Sequence, residues 1–267
     1  MKQSLSRKLI LIVAGATILL AAVALGVTRN RSLLHSGATY SARLERMPHV
    51  MLWAWERPVD LRFINTEETG VAFLAQTIRL RADEIGIRPR VQPLNLPESA
   101  RVMAVVRLET DAVNKPTLSA EQRERVAIAI ADMARLPKVS NIQIDFDATQ
   151  SERAFYRELI FDVRRRLPDT AGLSVTALAS WCTYDDWLSD LPIDEAVPML
   201  FRMAGDGKEI ARRVNTGDDF IAPLCRHSYG ISTDEPRLGL LPARRLYVFN
   251  PDPWTEGSVR AILEPGK

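Results

Sequence analysis

Residues 102–108 (VMAVVRL), 119–136 (SAEQRERVAIAIADMARL), 141–149 (NIQIDFDAT), 151–167 (SERAFYRELIFDVRRRL) and 173–180 (LSVTALAS) alternate between two hydrophobic periodicities. The first, third and fifth segments are short and rich in β-branched residues, the composition of strands. The second and fourth are longer and repeat their apolar residues at helical spacing. Ser119 opens the first helix with Gln122 three residues later, a capping-box pattern, and Pro137 stops it. Pro168 closes the second helix in the same way. Strand, helix, strand, helix, strand predicts parallel βαβ units.

The same alternation extends in both directions. Residues 49–55 (HVMLWAW) predict a first strand and 70–80 a second. Residues 88–94 predict a hairpin partner, with Gly86 and Pro89 marking the turn. Beyond residue 180 the pattern predicts a short helix over 184–189, a strand over 196–203 and a helix over 208–214. Strands over 220–224 and 245–250 and a last helix over 256–263 follow. About eight strands with helices outside them predict an α/β fold, a (β/α)8 TIM-barrel-like closure. The first half is irregular, because residues 56–101 contain no clear amphipathic helix. The competing architecture is a doubly wound sheet, but no G-x-G-x-x-G or Walker loop follows any strand.

The 267 residues divide into three parts. Residues 1–29 read as a membrane anchor or signal segment. Lys2, Arg7 and Lys8 precede an uncharged, mostly apolar run over 9–27, and Arg29 and Arg31 follow it. A helix through that run is about 28 Å long, close to a bilayer core. The basic front predicts a cytoplasmic N-terminus with the body on the extracytoplasmic side, periplasmic and held at the inner membrane. Ala22-Val23-Ala24 is also a small-residue cleavage pattern, which predicts secretion in the alternative that the leader is removed. Residues 30–45 read as a tether, and 46–267 as a single domain with a full core.

Lys plus Arg total 35 against 33 Asp plus Glu, a net charge of +2, part of which belongs to the leader and tether. The body is near neutral and lacks a basic run with interleaved aromatics, which argues against nucleic acid as a partner. Cys182 and Cys225 read equally as one disulfide or as two small buried hydrophobes. His35, His49 and His227 have no metal-ligand spacing, and no cofactor motif is present.

Within residues 141–149, Ile142, Ile144 and Phe146 face one way while Gln143, Asp145 and Asp147 face the other. Carboxylates at i and i+2 on a strand sit roughly 6.6 Å apart, where each raises the cost of ionising the other. That is one way to make a carboxylic acid that donates a proton near neutral pH. A solvated, ion-paired strand end and a divalent-cation site are the competing readings of the pair.

In a parallel barrel the functional groups gather at the C-terminal ends of strands. Those ends carry Trp53, Trp55 and Glu56, then Arg107 and Glu109, then Asp145 and Asp147. Trp181 and Cys182, Arg202, Arg226 and His227, and Asn250, Asp252 and Trp254 complete the series. Tryptophans beside carboxylates suit stacking on sugar rings, and single tryptophans are also ordinary core residues. Arg107 and Glu109 read as an ion pair tuning Asp145, or as a structural salt bridge. Arg202 reads as a ligand for substrate hydroxyls or a carboxylate. The loop N-P-D-P-W over 250–254 is stiffened by two prolines and reads as a wall of the site.

The segments VMLWAWERP, IQIDFDATQSER, LSVTALASWC and IDEAVPMLFRM together resemble the bacterial domain-of-unknown-function family 3142 (DUF3142) over about residues 47–255. That family looks like a member of the glycoside-hydrolase barrel group, so the resemblance implies a barrel fold and a carbohydrate-directed activity. The fourth strand is also similar, more loosely, to the D-x-D-x-E signature of family 18 chitinase-like barrels. That likeness implies Asp147 as proton donor and Asp145 as the residue assisting it. Gln143 stands at the pattern's first Asp, Asp147 is one methylene shorter than the family's Glu, and Arg202 stands where the family has a tyrosine. The expectation is therefore a glycoside-hydrolase-like protein acting on an envelope or exported polysaccharide. A catalytically inactive barrel that binds glycan or an envelope protein is the alternative.

Overall fold

The computed structural model describes residues 42–241 and 243–264. The predicted anchor over 1–29, and the tether up to residue 41, lie outside them. Among the described residues no helix is long and apolar enough to cross a membrane.

In chain order the strands are β1 (Val50–Ala54), β2 (Val59–Asp60), β3 (Thr69–Arg81), β4 (Glu84–Pro89), β5 (Leu94–Asn95), β6 (Val102–Thr110), β7 (Val139–Asp145), β8 (Gly172–Leu178), β9 (Glu195–Met199), β10 (Ser228–Ser232) and β11 (Arg245–Phe249). The helices are α1 (Ala120–Ala131), α2 (Arg153–Arg166), α3 (Ala179–Tyr184), α4 (Gly207–Asn215) and α5 (Glu256–Leu263). Strands β1, β3, β6, β7, β8, β9, β10 and β11 pair in that order, each parallel to the next. β11 pairs back to β1, also parallel, closing an eight-stranded parallel barrel. The predicted TIM-barrel-like α/β fold is the one observed.

The predicted irregularity also holds. Helices follow β6, β7, β8, β9 and β11, but among the described residues none joins β1 to β3, β3 to β6, or β10 to β11. Between β1 and β3 the chain instead packs Val59, Leu61 and Ile64 against the outside of the barrel, together with Trp254, Val259 and Ile262 around α5. β3 runs past the barrel rim into an antiparallel hairpin with β4.

The helix boundaries follow local chemistry. Ser119 Oγ accepts from the Gln122 backbone N–H at 3.1 Å. The buried Gln122 side chain accepts from Leu118 N–H and donates to the carbonyls of Ala82 and Glu84, tying α1 to the hairpin turn. Thr149 and Glu152 cap each other ahead of α2.

Three local expectations are corrected. The hairpin partner of β3 is Glu84–Pro89, so Gly86 lies inside a strand and the turn falls at Ala82. Ala82 adopts φ 46° there, held by Asn114 and Gln122 from distant sequence, which no local signal announces. The helix expected at 184–189 forms earlier, as α3, and Asp185 ends it while accepting from Trp187 N–H. Residues 220–224 are not a strand. Ile221 and Ala222 donate to the Cys182 carbonyl, and Cys225 is disulfide-bonded to Cys182. That anchorage leaves the place in the sheet to Ser228–Ser232. Arg226 and His227 therefore precede β10, at the opposite end of the barrel from the one expected.

The barrel interior is layered, as side chains from alternate strands must be. At the floor, Tyr247 on β11 donates to Glu195 Oε1 on β9 at 2.5 Å, and Arg245 pairs with Glu195 Oε2 at 3.2 Å. In the middle, Trp53 Nε1 on β1 reaches across to Gln143 Oε1 on β7 at 2.8 Å. Gln143 in turn donates to Ser174 Oγ on β8 at 3.1 Å. The top layer is the cleft. Outside, Ile142, Ile144 and Phe146 join Tyr156, Leu159 and Ile160 of α2 in the main hydrophobic layer.

Candidate functional site

A cleft of about 460 Å³ opens at the C-terminal end of the barrel. Its lining includes Trp53 on β1 and Trp55 just beyond it, Arg107 on β6, Asp145 on β7 and Asp147 just beyond it, and Thr176 and Leu178 on β8. Met199 at the end of β9, Phe201 just beyond it, Phe249 on β11, and Asp206, Gly207 and Ile210 around the start of α4 complete it. Six of the eight barrel strands thus contribute to a concave site of the size that holds a few sugar units or a small ligand.

Period-two geometry explains why the acids are here. β7 ends at Asp145, and the alternation continues beyond it: Phe146 and Ala148 are buried against the outer layer, while Asp147 opens to the cleft. Asp145 is buried, accepts from Thr176 Oγ1 at 2.7 Å, and pairs through Oδ2 with Arg107 Nη1 at 3.0 Å. Arg107 is held from its other side by Glu109 Oε1 at 3.2 Å. The register Arg107↔Asp145 between β6 and β7 sets this pair side by side.

Asp147 has no hydrogen bond or ion pair among the described residues. Its surface is open to the cleft, yet the concave wall withdraws the carboxylate from bulk water. That withdrawal raises its pKa above the ordinary aspartate value, the Asp145 charge raises it further, and Arg107 pulls it back in part. An aspartate so placed keeps its proton to higher pH than a solvated one and has a free oxygen facing the cleft.

The aromatic wall is continuous. Phe201 and Phe249 stack at 5.7 Å with an interplanar angle of 4°, and Trp53 leans on Phe201 at 6.0 Å. Gly230 makes room for the Trp53 indole: a Cβ there would sit 3.0 Å from its Cη2 and 3.3 Å from the Pro198 carbonyl oxygen. Arg90 fixes the end of β1 by donating to the carbonyls of Ala54, Trp55 and Arg57. Trp55 is half-buried on that clamped segment.

Of the residues expected at the site, Asp145, Asp147, Trp53, Trp55, Arg107 and Arg202 line the cleft. Glu109 flanks it, shared between Arg107 and Arg79. Arg202 has its guanidinium occupied by Asp234 at 2.7 Å and Glu235 at 3.0 Å. Its backbone sits at φ 51°, with its N–H donated to Glu235, so the residue secures the rim. Trp181 is buried against Trp187 in the helical layer, and Trp254 is buried with its Nε1 on the Trp53 carbonyl at 3.0 Å. Neither presents a face to the cleft. Asn250 and Asp252 line a separate hollow of about 700 Å³ between β10, β11 and α5, where the barrel lacks a helix.

Thr176, Phe201, Phe249 and Asp206 were not singled out from the sequence. Thr176 and Phe249 lie two positions beyond Ser174 and Tyr247, and counting by two along each strand finds them. Phe201 lies two beyond Met199 in the same way. Asp206 belongs to a loop and has no such signal. No group of three or more His, Cys, Asp or Glu side chains suited to a metal ion occurs among the described residues.

Comparison of the chain with protein-family models, with curated proteins and with solved structures found no match.

Proposed function

We propose that the protein is a glycoside-hydrolase-like enzyme acting on an envelope or exported polysaccharide, with Asp147 as general acid and Asp145 as its modulator. The observation that carries this reading is the convergence of an unpaired, upward-shifted Asp147 with a fixed Asp145 beside a wall of Trp53, Trp55, Phe201 and Phe249. Aromatic faces suit the C–H faces of sugar rings, and a carboxylic acid at the rim suits protonation of a glycosidic oxygen. Arg107 and Thr176 fix the position of Asp145, and its charge adds to burial in raising the pKa of Asp147. The resemblance to family 3142 and to family 18 barrels points the same way. The Cys182–Cys225 disulfide supports an oxidising, extracytoplasmic location, in keeping with a basic-fronted apolar leader that anchors the chain in the membrane.

The test is turnover of bacterial envelope and exported polysaccharides by purified full-length protein, read as new reducing ends. Asp147→Asn is expected to lower the rate about 10²–10⁴-fold, the contribution of a positioned general acid. Unchanged turnover in that variant sinks the assignment. A second reading is favoured by one observation: both oxygens of Asp145 are engaged by Arg107 and Thr176, leaving Asp147 as the one unengaged member of the pair. In that reading the barrel binds glycan without cleaving it. Binding without product, lost on Trp55→Ala and kept on Asp147→Asn, distinguishes it.

A further inference from the structure

The charge of the cleft carries information that the acid pair alone does not. Asp145, Asp147 and Asp206 line it, against Arg107 and Arg202. Both arginines are already committed: Arg107 to Asp145 and Glu109, Arg202 to Asp234 and Glu235. Counting those partners and Arg79 on Glu109, six carboxyl groups face three guanidiniums, and with the proton of the general acid on Asp147 the formal charge around the mouth is −2.

Two of the carboxylates are unspent. Asp147 has no hydrogen bond or ion pair among the described residues. Asp206 stands at the N-cap position of α4, yet its side chain makes no capping bond. The aromatic wall lines the same cleft, and its π faces attract cations as well as sugar C–H groups. An anionic glycan meets net repulsion here and no uncommitted guanidinium in the lining. A neutral glycan leaves Asp206 without a partner.

We infer that the cleft takes a glycan bearing free, protonated amino groups, with Asp206 and the stacked pair Phe201 and Phe249 receiving an ammonium. This rests on the carbohydrate reading above and names the substrate class within it. The ring lies against the aromatic wall, and the ammonium sits between a π face and a carboxylate. Asp206 is thereby a specificity residue, distinct from the acid at Asp147.

The experiment is calorimetric titration of the full-length protein at mildly acidic pH with four probes. They are a glucosamine hexamer, an N-acetylglucosamine hexamer, a galacturonate hexamer and a hexalysine peptide of matched charge. The glucosamine hexamer is expected to bind about tenfold more tightly than its acetylated counterpart, and the galacturonate hexamer not measurably. Asp206→Asn is expected to weaken the glucosamine hexamer about fivefold and to leave the acetylated one unchanged, whereas Glu67→Gln, an exposed carboxylate away from the cleft, changes neither. Equal or tighter binding of the acetylated hexamer overturns the inference, and so does equal binding of hexalysine, which would mark a basic-peptide site. The two proposals fail separately. Cleavage of the acetylated hexamer with no preference for amines retains the enzyme and removes the inference. Amine-selective binding without cleavage, by a freshly prepared and folded protein, does the reverse.

Discussion

Replacing Arg107 by methionine keeps the apolar stem of the side chain and deletes its guanidinium and charge. The guanidinium donates to Asp145 Oδ2 at 3.0 Å and to Glu109 Oε1 at 3.2 Å. Asp145 is 7% exposed at its side chain and Arg107 36%, so the pair is neither a surface pair nor a fully buried one. Stranding a fully buried charge costs about 3–5 kcal/mol, and breaking an exposed pair about 0–1. With solvent screening on the arginine side, the expected loss is about 2 kcal/mol. For a body of about 220 residues that lowers the midpoint of thermal unfolding by about 4–8 °C. The variant also removes the one charge that pulls the Asp147 pKa down. Asp147 therefore titrates higher than in the parent protein.

The sign of the pH dependence follows. Burial and Asp145 already place the folded-state pKa of Asp147 above its unfolded value. Proton binding at Asp147 then favours the fold fully below the unfolded pKa, and that contribution is lost as pH rises through the folded one. Raising the folded pKa further widens that span, so the deficit of Arg107→Met is smallest in acid and grows through the mildly acidic range. Melting curves across that range, with ¹³C titration of the Asp147 carboxyl, read both effects. An unchanged melting midpoint, or an Asp147 that titrates lower in the variant, refutes the electrostatic account of the site.

At the barrel floor, Arg245→Met leaves the fully buried Glu195 without its cation and frees the carbonyls of Leu44 and Pro48. The expected cost is about 3–5 kcal/mol by denaturant unfolding, partly recovered in the Arg245→Met/Glu195→Gln double variant. Absence of coupling between the two sites counts against the floor network. Gly230→Ala presses on the Trp53 indole and the Pro198 carbonyl, with an expected loss of about 1–3 kcal/mol and a shifted tryptophan emission. An unperturbed spectrum would show that the indole has room to spare. The Cys182–Cys225 bond closes a separation of 43 residues, and chain entropy then assigns it about 4 kcal/mol. The Cys182→Ala/Cys225→Ala variant is expected to show that loss by chemical denaturation, and a difference below about 1 kcal/mol would contradict it.

Much of the barrel was legible because period-two and period-3.6 patterns are written locally. The run over 102–180 places three strands and two helices close to where they form, and α5 matches its expected span residue for residue. The errors fall where distant residues decide. Residues 220–224 look like a strand, but the Cys182 carbonyl and the disulfide take them out of the sheet. That shift carried Arg226 and His227 from the expected rim to the floor side of β10.

The site divides along the same line. Asp145, Asp147 and Arg107 were found because strand ends and alternation fix which face a residue takes. Trp181 and Trp254 also sit near strand ends, and both are buried. One lies in a helix beyond its strand and the other packs around α5.

By itself, then, the sequence determined the alternating elements, the parallel barrel they imply, and the strand on which the two acids lie, since each depends on spacing within a few residues. Only the tertiary structure decided which rim residues face a common cleft, that Arg202 is consumed by Asp234 and Glu235, and that Asp147 stands unpaired with a raised pKa. Pairing, burial and electrostatic shift are properties of neighbours brought together through space, and residues 32 and 33 apart in the chain carry no local mark of meeting.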